Sequence, residues 1–184
     1  MHRQAILELL NDYQNIYPDE AGVTERFKSF VTQHADCFER SLLVGHVTGS
    51  AWVVNQAGTH TLLTHHKKLN RWLQLGGHAD GESDILKAAL IEVAEESGLA
   101  GFEAVSPDIL DIDIHPIPER GDEPEHYHYD VRFAVQAVGC DEYTVSDESN
   151  DLQWVDINRI ADYSQEESVL RMARKWQAAN KSGA

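Results

Sequence analysis

Apolar positions recur along this chain with two periods, and the switch between them sets out its organisation. From Gln4 to Ile16, Ile6, Leu9, Leu10 and Tyr13 fall at helical spacing, and Tyr17-Pro18-Asp19 ends the run. A second helix is predicted from about Glu20 to His34, with Val23, Phe27, Phe30 and Val31 as its stripe. From Gly45 the character changes. His46 to Val54 is rich in β-branched and aromatic residues and reads as a strand, Asn55-Gln56-Ala57-Gly58 as a turn, and Thr59 to His65 as the returning strand. Trp72 to Leu75 then leads into a glycine-rich loop. Further on, Ile109 to His115 alternates as a strand, Pro116 to Pro124 is a stiff loop, and Gln153 to Val155 is a short strand. The last helix begins at Ile157 or Gln165 and ends near Ala179, with Val169, Leu170, Met172, Ala173 and Trp176 facing inward. No internal repeat is present.

The strand from His126 to Val135 is unusual on both sides. Period two puts Tyr127, Tyr129, Val131, Phe133 and Val135 on one face, which implies a core there. His126, His128, Asp130 and Arg132 share the other face, a set too rich in chemistry for ordinary solvent-facing surface.

The glycine loop, Gly76-Gly77-His78-Ala79-Asp80-Gly81-Glu82-Ser83-Asp84, opens into a helical pattern that closes on Gly98. Ser83 or Asp84 caps its start, and Gly98 supplies the left-handed residue that ends it. Ile85, Ala89, Val93 and Ala94, with Leu86 and Leu90 nearby, make the apolar stripe. Glu92, Glu95 and Glu96 stand at i, i+3 and i+4, so three like charges project from one face. A solvated acidic face would explain a lone E-x-x-E-E. With a glycine loop upstream, a hard divalent cation that removes the repulsion and keeps waters for a phosphate explains it better.

Composition narrows the classes. A chain of 184 residues suits one domain with a decorated edge. A formal net charge of −16 argues against sequence-independent nucleic-acid binding, which needs a basic surface. Lys67, Lys68 and Arg71 form one basic patch, which either meets a phosphate or is a solvated turn. Cys37 and Cys140 are too few and too far apart for a disulfide framework or zinc ribbon. The first residues carry an acid where a signal peptide would be apolar, and no apolar run is long enough to span a membrane. These features read as a cytoplasmic protein with no membrane partner.

The loop and helix together resemble the Nudix box of the Nudix hydrolases, G-x5-E-x7-R-E-U-x-E-E-x-G-U, where U is a bulky aliphatic residue. Gly77 matches the first glycine, and Glu92 to Leu99 matches the second half in register. The box's middle glutamate falls on Ser83, with Glu82 one place early, and its arginine falls on Ile91. In the family those two residues form a supporting ion pair, and here both partners are replaced.

The resemblance implies an α/β fold, a Nudix-like α/β/α sandwich with a mixed sheet, over residues 41–184. Residues 1–40 would be an N-terminal helical extension packed on that domain, with a substrate lid or a homodimer contact as the other roles. It implies cleavage of a diphosphate linkage in a small nucleoside-diphosphate-linked substrate. Gly77, Glu92, Glu95 and Glu96 would hold Mg²⁺ or Mn²⁺, and Glu95, Glu96 or the late-loop Glu148 would act as general base. Arg132 or Arg120 would neutralise the far phosphate, and Arg71 would contact substrate. The rival class is a non-catalytic nucleotide- or metabolite-binding sensor. The isomerase branch of the fold needs a cysteine in the pocket, which neither Cys37 nor Cys140 provides.

Histidines are numerous, ten in all. His65, His66, His78, His115, His126 and His128 are expected near the loop and the polar strand. Two readings stand. His78, His126 and His128 line a substrate pocket as donors to phosphate or ribose, or the H-x-H pair binds a transition metal with His78 or His115 as a third ligand, in addition to the carboxylate site.

Overall fold

Helices α1 (Gln4–Ile16) and α2 (Ala21–Gln33) open the chain, followed by strands β1 (Gly45–Val54), β2 (His60–His66), β3 (Arg71–Leu73) and β4 (Leu75–His78). Helix α3 (Ile85–Ser97), strands β5 (Phe102–Ile117), β6 (His126–Ala137) and β7 (Ser149–Asp156), and helix α4 (Glu167–Lys181) complete it. The computed structural model describes residues 2–121, 123–147 and 149–181.

All of β1 is buried, because it is covered on both faces and paired on both edges. β6 runs parallel to it, with His46 opposite His128, Thr48 opposite Asp130 and Ser50 opposite Arg132. β4 runs antiparallel to it, with Gly77 opposite Gly49 and His78 opposite Thr48. β5 is antiparallel to β6, and β2 carries both β3 and β7. The result is a mixed sheet of seven strands. The turn at 55–58 forms as expected, but the two strands it joins pair at Val54 and Thr61 and then part. Each is claimed by other partners, which local sequence does not reveal.

Alternation along β1 sorts the molecule into layers. Val47, Gly49, Ala51 and Val53 face α1, α2 and α3: Val47 shares a core with Ile6, Leu10, Phe27, Phe30 and Ile85, and Ala51 with Val93. Trp52 and Val54 face α4, packing with Val169, Met172, Ala173 and Trp176. Helices therefore cover both faces of the sheet. The first two helices keep the stripe that their spacing predicts, and they share one core with the sheet. Three expectations shift. Ala94 is exposed on α3, and its place in the buried stripe is taken by Ala88 and Ser97. β5 starts at Phe102 rather than Ile109, with register breaks between Ala104 and Asp111. The last helical stretch is two pieces, a 3₁₀ segment capped by Asp156 and then α4, separated at Ser164-Gln165-Glu166.

A buried charge network ties these layers. Asp111, fully buried on β5, accepts from Arg132 Nη1 at 3.1 Å, Arg171 Nε at 2.7 Å and Lys175 Nζ at 2.7 Å. Lys175 also donates to Tyr13 Oη at 2.5 Å and pairs with Glu20 at 2.8 Å, so α4, β5 and the N-terminal helices meet at one ammonium group. A buried carboxylate with three cationic donors is stable as a set and costly to break. Asp111→Asn should lower the unfolding free energy by about 3–5 kcal/mol in urea denaturation, because three cations then share a neutral partner.

Candidate active site

The site is built where α3 comes down on the glycine strand. Asp84 caps the helix, its Oδ1 accepting from Lys87 N at 3.1 Å, and Gly98 closes it in the left-handed conformation. Gly76, Gly77 and His78, expected in a loop, belong to β4. The absence of a side chain at each glycine is a requirement of approach. A Cβ on Gly77 would lie 2.5 Å from the Glu92 carboxylate, one on Gly76 2.3 Å from Ser50 Oγ, and one on Gly49 3.0 Å from the Ile85 carbonyl. The helix therefore sits near enough for Gly76 N–H to donate to Glu96 Oε2 at 2.8 Å.

Of the three helix acids, Glu96 is buried, Glu92 is half-buried against Gly77, and Glu95 is exposed. Gly77, Glu92 and Glu96 are thus brought together, with Glu95 at the solvent edge of the same helix. Glu148 lies outside the described residues. The positions of the absent ion pair are also clear. Ile91 is 45% exposed and Ser83 half-buried, while Glu82, one place before Ser83, makes its own local contacts, to Asp84 N at 3.0 Å and Lys87 Nζ at 2.5 Å.

The loop between β4 and α3 is held by the segment that follows α2. Arg40 Nε donates to Asp80 Oδ1 at 2.6 Å, Gly81 N to the Phe38 carbonyl at 3.0 Å, and Cys37 O accepts from Val47 N at 2.7 Å. Asp80 and Gly81 both have positive φ, a left-handed pair that turns the chain toward α3. Nothing in the local pattern of residues 35–42 announces this clamp.

The remaining candidates lie elsewhere. Arg132 is 2% exposed, with Nε 2.6 Å from Asp130 Oδ2 and Nη1 on Asp111, which makes it an internal counter-ion. Arg71 is exposed and pairs with Glu166 at 2.7 Å, beside a cavity of about 280 Å³ lined by Trp72, Tyr163 and Gln165. Lys67 reaches the Asp147 carbonyl, and Arg120 bridges to Glu123 in an exposed turn.

The histidines divide. His65 packs on Trp72 and contacts Asn150, and His66 accepts from Lys68 N and Leu69 N, so both stay with β2. His78, His126 and His128 gather around His46, which sequence reasoning missed, and His115 joins them through His128. The parallel register places His46 opposite His128, on the face away from α3. Only the pairing reveals it, although a histidine at the head of a buried strand is a faint signal.

A mixed sheet between helix layers, with acids of one helix seated on a glycine strand, defines an α/β/α sandwich. The model of the NUDIX domain family matches residues 45–175. The Caenorhabditis elegans Ap4A hydrolase binary complex is similar to this chain at 16% identity and a TM-score of 0.54, covering 74% of this chain and 98% of that one. The Escherichia coli dihydroneopterin triphosphate pyrophosphohydrolase is 13% identical with a TM-score of 0.56, over 70% of this chain and 92% of its own. The MutT protein of Methanosarcina mazei Go1 is 18% identical with a TM-score of 0.55, over 74% and 96%. At these identities the likeness is one of fold, and a comparison with curated proteins gave no match. The chain belongs to the Nudix family. Helices α1 and α2 fall outside the matched residues.

Burial, reinforced by the facing imidazoles, pushes His46 down to about 4 and His128 down to about 2. Such a histidine takes up its proton more readily when unfolded. Stability is therefore complete above the ordinary histidine value of 6.5 and is lost as pH falls below it toward 4. His46 alone should cost about 2 kcal/mol between pH 7 and pH 5, read by urea denaturation of metal-free protein, and His46→Gln should flatten that slope.

Proposed function

We propose that this Nudix protein is a metal-dependent hydrolase that cleaves a diphosphate linkage in a nucleoside-diphosphate-linked or related small molecule. The observation that carries the reading is the seat of α3: Glu96 is anchored by Gly76 N–H at 2.8 Å, and the Glu92 carboxylate fills the space a Gly77 side chain would take. Oxygen donors gathered in this way fit Mg²⁺ or Mn²⁺, with the Gly77 carbonyl and Glu92, Glu95 and Glu96 as the ligands. When bound, such an ion supplies neutralisation of the diphosphate and a bound water of lowered pKa.

The chain's own residues have separable tasks. Gly76 N–H fixes the direction of the Glu96 carboxylate, so one oxygen is held and the group cannot swing away from the strand. Glu95, exposed on the same helix face, is the general base: a carboxylate oxygen takes the proton of the attacking water as its oxygen bonds to phosphorus, and the bridging P–O bond breaks. Glu148 is the competing base, and its substitution separates the two. The Arg40 and Phe38 contacts to Asp80 and Gly81 hold the loop that positions the ligands.

The second reading, a sensor that binds without turnover, draws on Ile91 and Ser83, which remove the family's supporting ion pair. The Gly76 contact to Glu96 holds that carboxylate without it, which favours the enzyme. A screen with Mg²⁺ or Mn²⁺ over ADP-ribose, sugar nucleotides, dinucleoside polyphosphates and nucleoside triphosphates separates the two: turnover of any of them supports the hydrolase, and binding without product supports the sensor.

Glu96→Gln should abolish metal-dependent release of phosphate products while far-UV circular dichroism and Tm stay close to those of the unaltered protein. Glu95→Gln should lower kcat by about 10²–10⁴-fold, the range for a positioned base, with Glu148→Gln near unaltered. A large loss in Glu148→Gln with Glu95→Gln unaffected would move the base to the late loop.

A further inference from the structure

We propose that His46, His78 and His128 form a second metal site, holding one divalent transition-metal ion of the zinc type on the sheet face opposite the carboxylate helix. One ligand nitrogen from each of the three lies within 4.8 Å of the others. Their ring centroids are 4.9 Å (His46–His78), 4.9 Å (His46–His128) and 5.2 Å (His78–His128) apart. A tetrahedral ion with Zn–N bonds of about 2.0–2.1 Å holds its nitrogens about 3.3 Å apart, so binding would draw the three rings inward.

Hydrogen bonding argues for an occupant. His46 is 1% exposed, yet neither of its ring nitrogens has a hydrogen-bond partner. His126 Nε2 and His128 Nε2 are buried in the same cluster without a hydrogen-bond partner, the Glu123 carboxylate standing 3.9 Å from the former. Leaving a buried polar atom unsatisfied costs about 1–3 kcal/mol, and native structures rarely do so. Three neutral imidazoles in one place, each with one ring nitrogen carrying a lone pair, offer up to three lone pairs to a single cation.

The surroundings are those of metal-binding imidazoles. His126 Nδ1 lies 2.9 Å from the Pro124 carbonyl, and His115 Nδ1 lies 3.0 Å from Asp113 Oδ2. Donation of the far N–H to a carbonyl or carboxylate fixes the tautomer and turns Nε2 toward a ligand role. His126, with its ring 5.0 Å from His46 and 5.3 Å from His128, is placed to supply a fourth nitrogen. Packed this closely, imidazoles repel one another when protonated, so the cluster offers lone pairs, which suit a cation and not a phosphate. Nitrogen donors select zinc, cobalt, nickel or copper, whereas the carboxylates on the other face select Mg²⁺ or Mn²⁺. Gly77 and His78 are consecutive, yet they point to opposite faces of β4, which keeps the two sites apart.

The test does not depend on the hydrolase reading. The protein is stripped with a chelator, loaded with Zn²⁺ in the presence of a large excess of Mg²⁺, desalted and assayed for metal. About one zinc per chain should remain, and Co²⁺ in its place should give the visible absorption of a nitrogen-coordinated, four- or five-coordinate ion. His78→Gln and His128→Gln should each lose the metal and the cobalt band, whereas Glu96→Gln keeps both. Should His128→Gln fail to fold, His78→Gln, at the half-buried end of β4, still tests ligand loss. Histidine ring nitrogen resonances of the unaltered protein, followed during zinc titration, report the ligands with no substitution. No retained zinc, equal retention in the histidine variants, loss confined to Glu96→Gln, or shifts confined to His2, His34 and His60 would each overturn the site.

Discussion

Everything in the candidate active site depends on how near one helix can come to one strand. α3 rests on β1 and β4 at contact distances that only glycine permits, Gly49 under Ile85 and Ala89 and Gly77 under Glu92, while Gly76 lets β4 close on Ser50 of β1. That approach converts a strand amide into a partner for Glu96. It also explains why acids that repel one another along a helix face are tolerable. Glu96 is compensated by a backbone dipole, Glu92 is packed against a glycine backbone, and Glu95 is solvated. An alanine at Gly49 would press on the backbone of α3, and one at Gly77 would displace the Glu92 carboxylate from the strand.

The opposite face of the sheet is organised by charge. Along β1 and β6 the side chains grade from imidazoles at His46 and His128, through Thr48, Ser50, Asp130 and Arg132, to the apolar cover of Trp52 under α4. Asp130 is satisfied by Thr48 Oγ1 at 2.9 Å, Ser50 Oγ at 2.8 Å and Arg132 Nε at 2.6 Å, so its burial leaves no orphaned carboxylate. Arg132 in turn leads to Asp111 and the cations of α4. Polar residues that would be surface in most strands are here the interior of the molecule, and they fix how α4 and the N-terminal helices dock.

Much of this was legible in the chain. Helices α1, α2 and α3 follow from 3.6-residue periodicity, and the cap and stop of α3 follow from Asp84 and Gly98, because these are local effects. The family was legible from Gly77 and the Glu92–Leu99 run, since box residues must keep fixed spacing to meet across a strand and a helix. Non-local pairing was not legible. Nothing near residue 46 says that β6 lies alongside, so the local pattern hides His46 and points to β2 as the main partner of β1. Arg132 looked available to a phosphate because its counter-charges, Asp111 and Asp130, reach it only through the sheet. The clamp of Arg40 on Asp80 was hidden for the same reason.

The parallel pairing of β1 with β6 has a kinetic consequence. Thr48 and Asp130 are 82 residues apart in the chain, and every element between them must be accommodated before their bond can form. Closure of so long a loop carries an entropic toll that is repaid only late, and proteins rich in such pairings fold slowly. During synthesis, α3 and its acids emerge well ahead of the strand that completes the sheet beneath them. The two faces of the sheet therefore acquire their chemistry at different moments: the glycine seat can assemble from neighbouring segments, whereas the histidine cluster exists only once the sheet has closed.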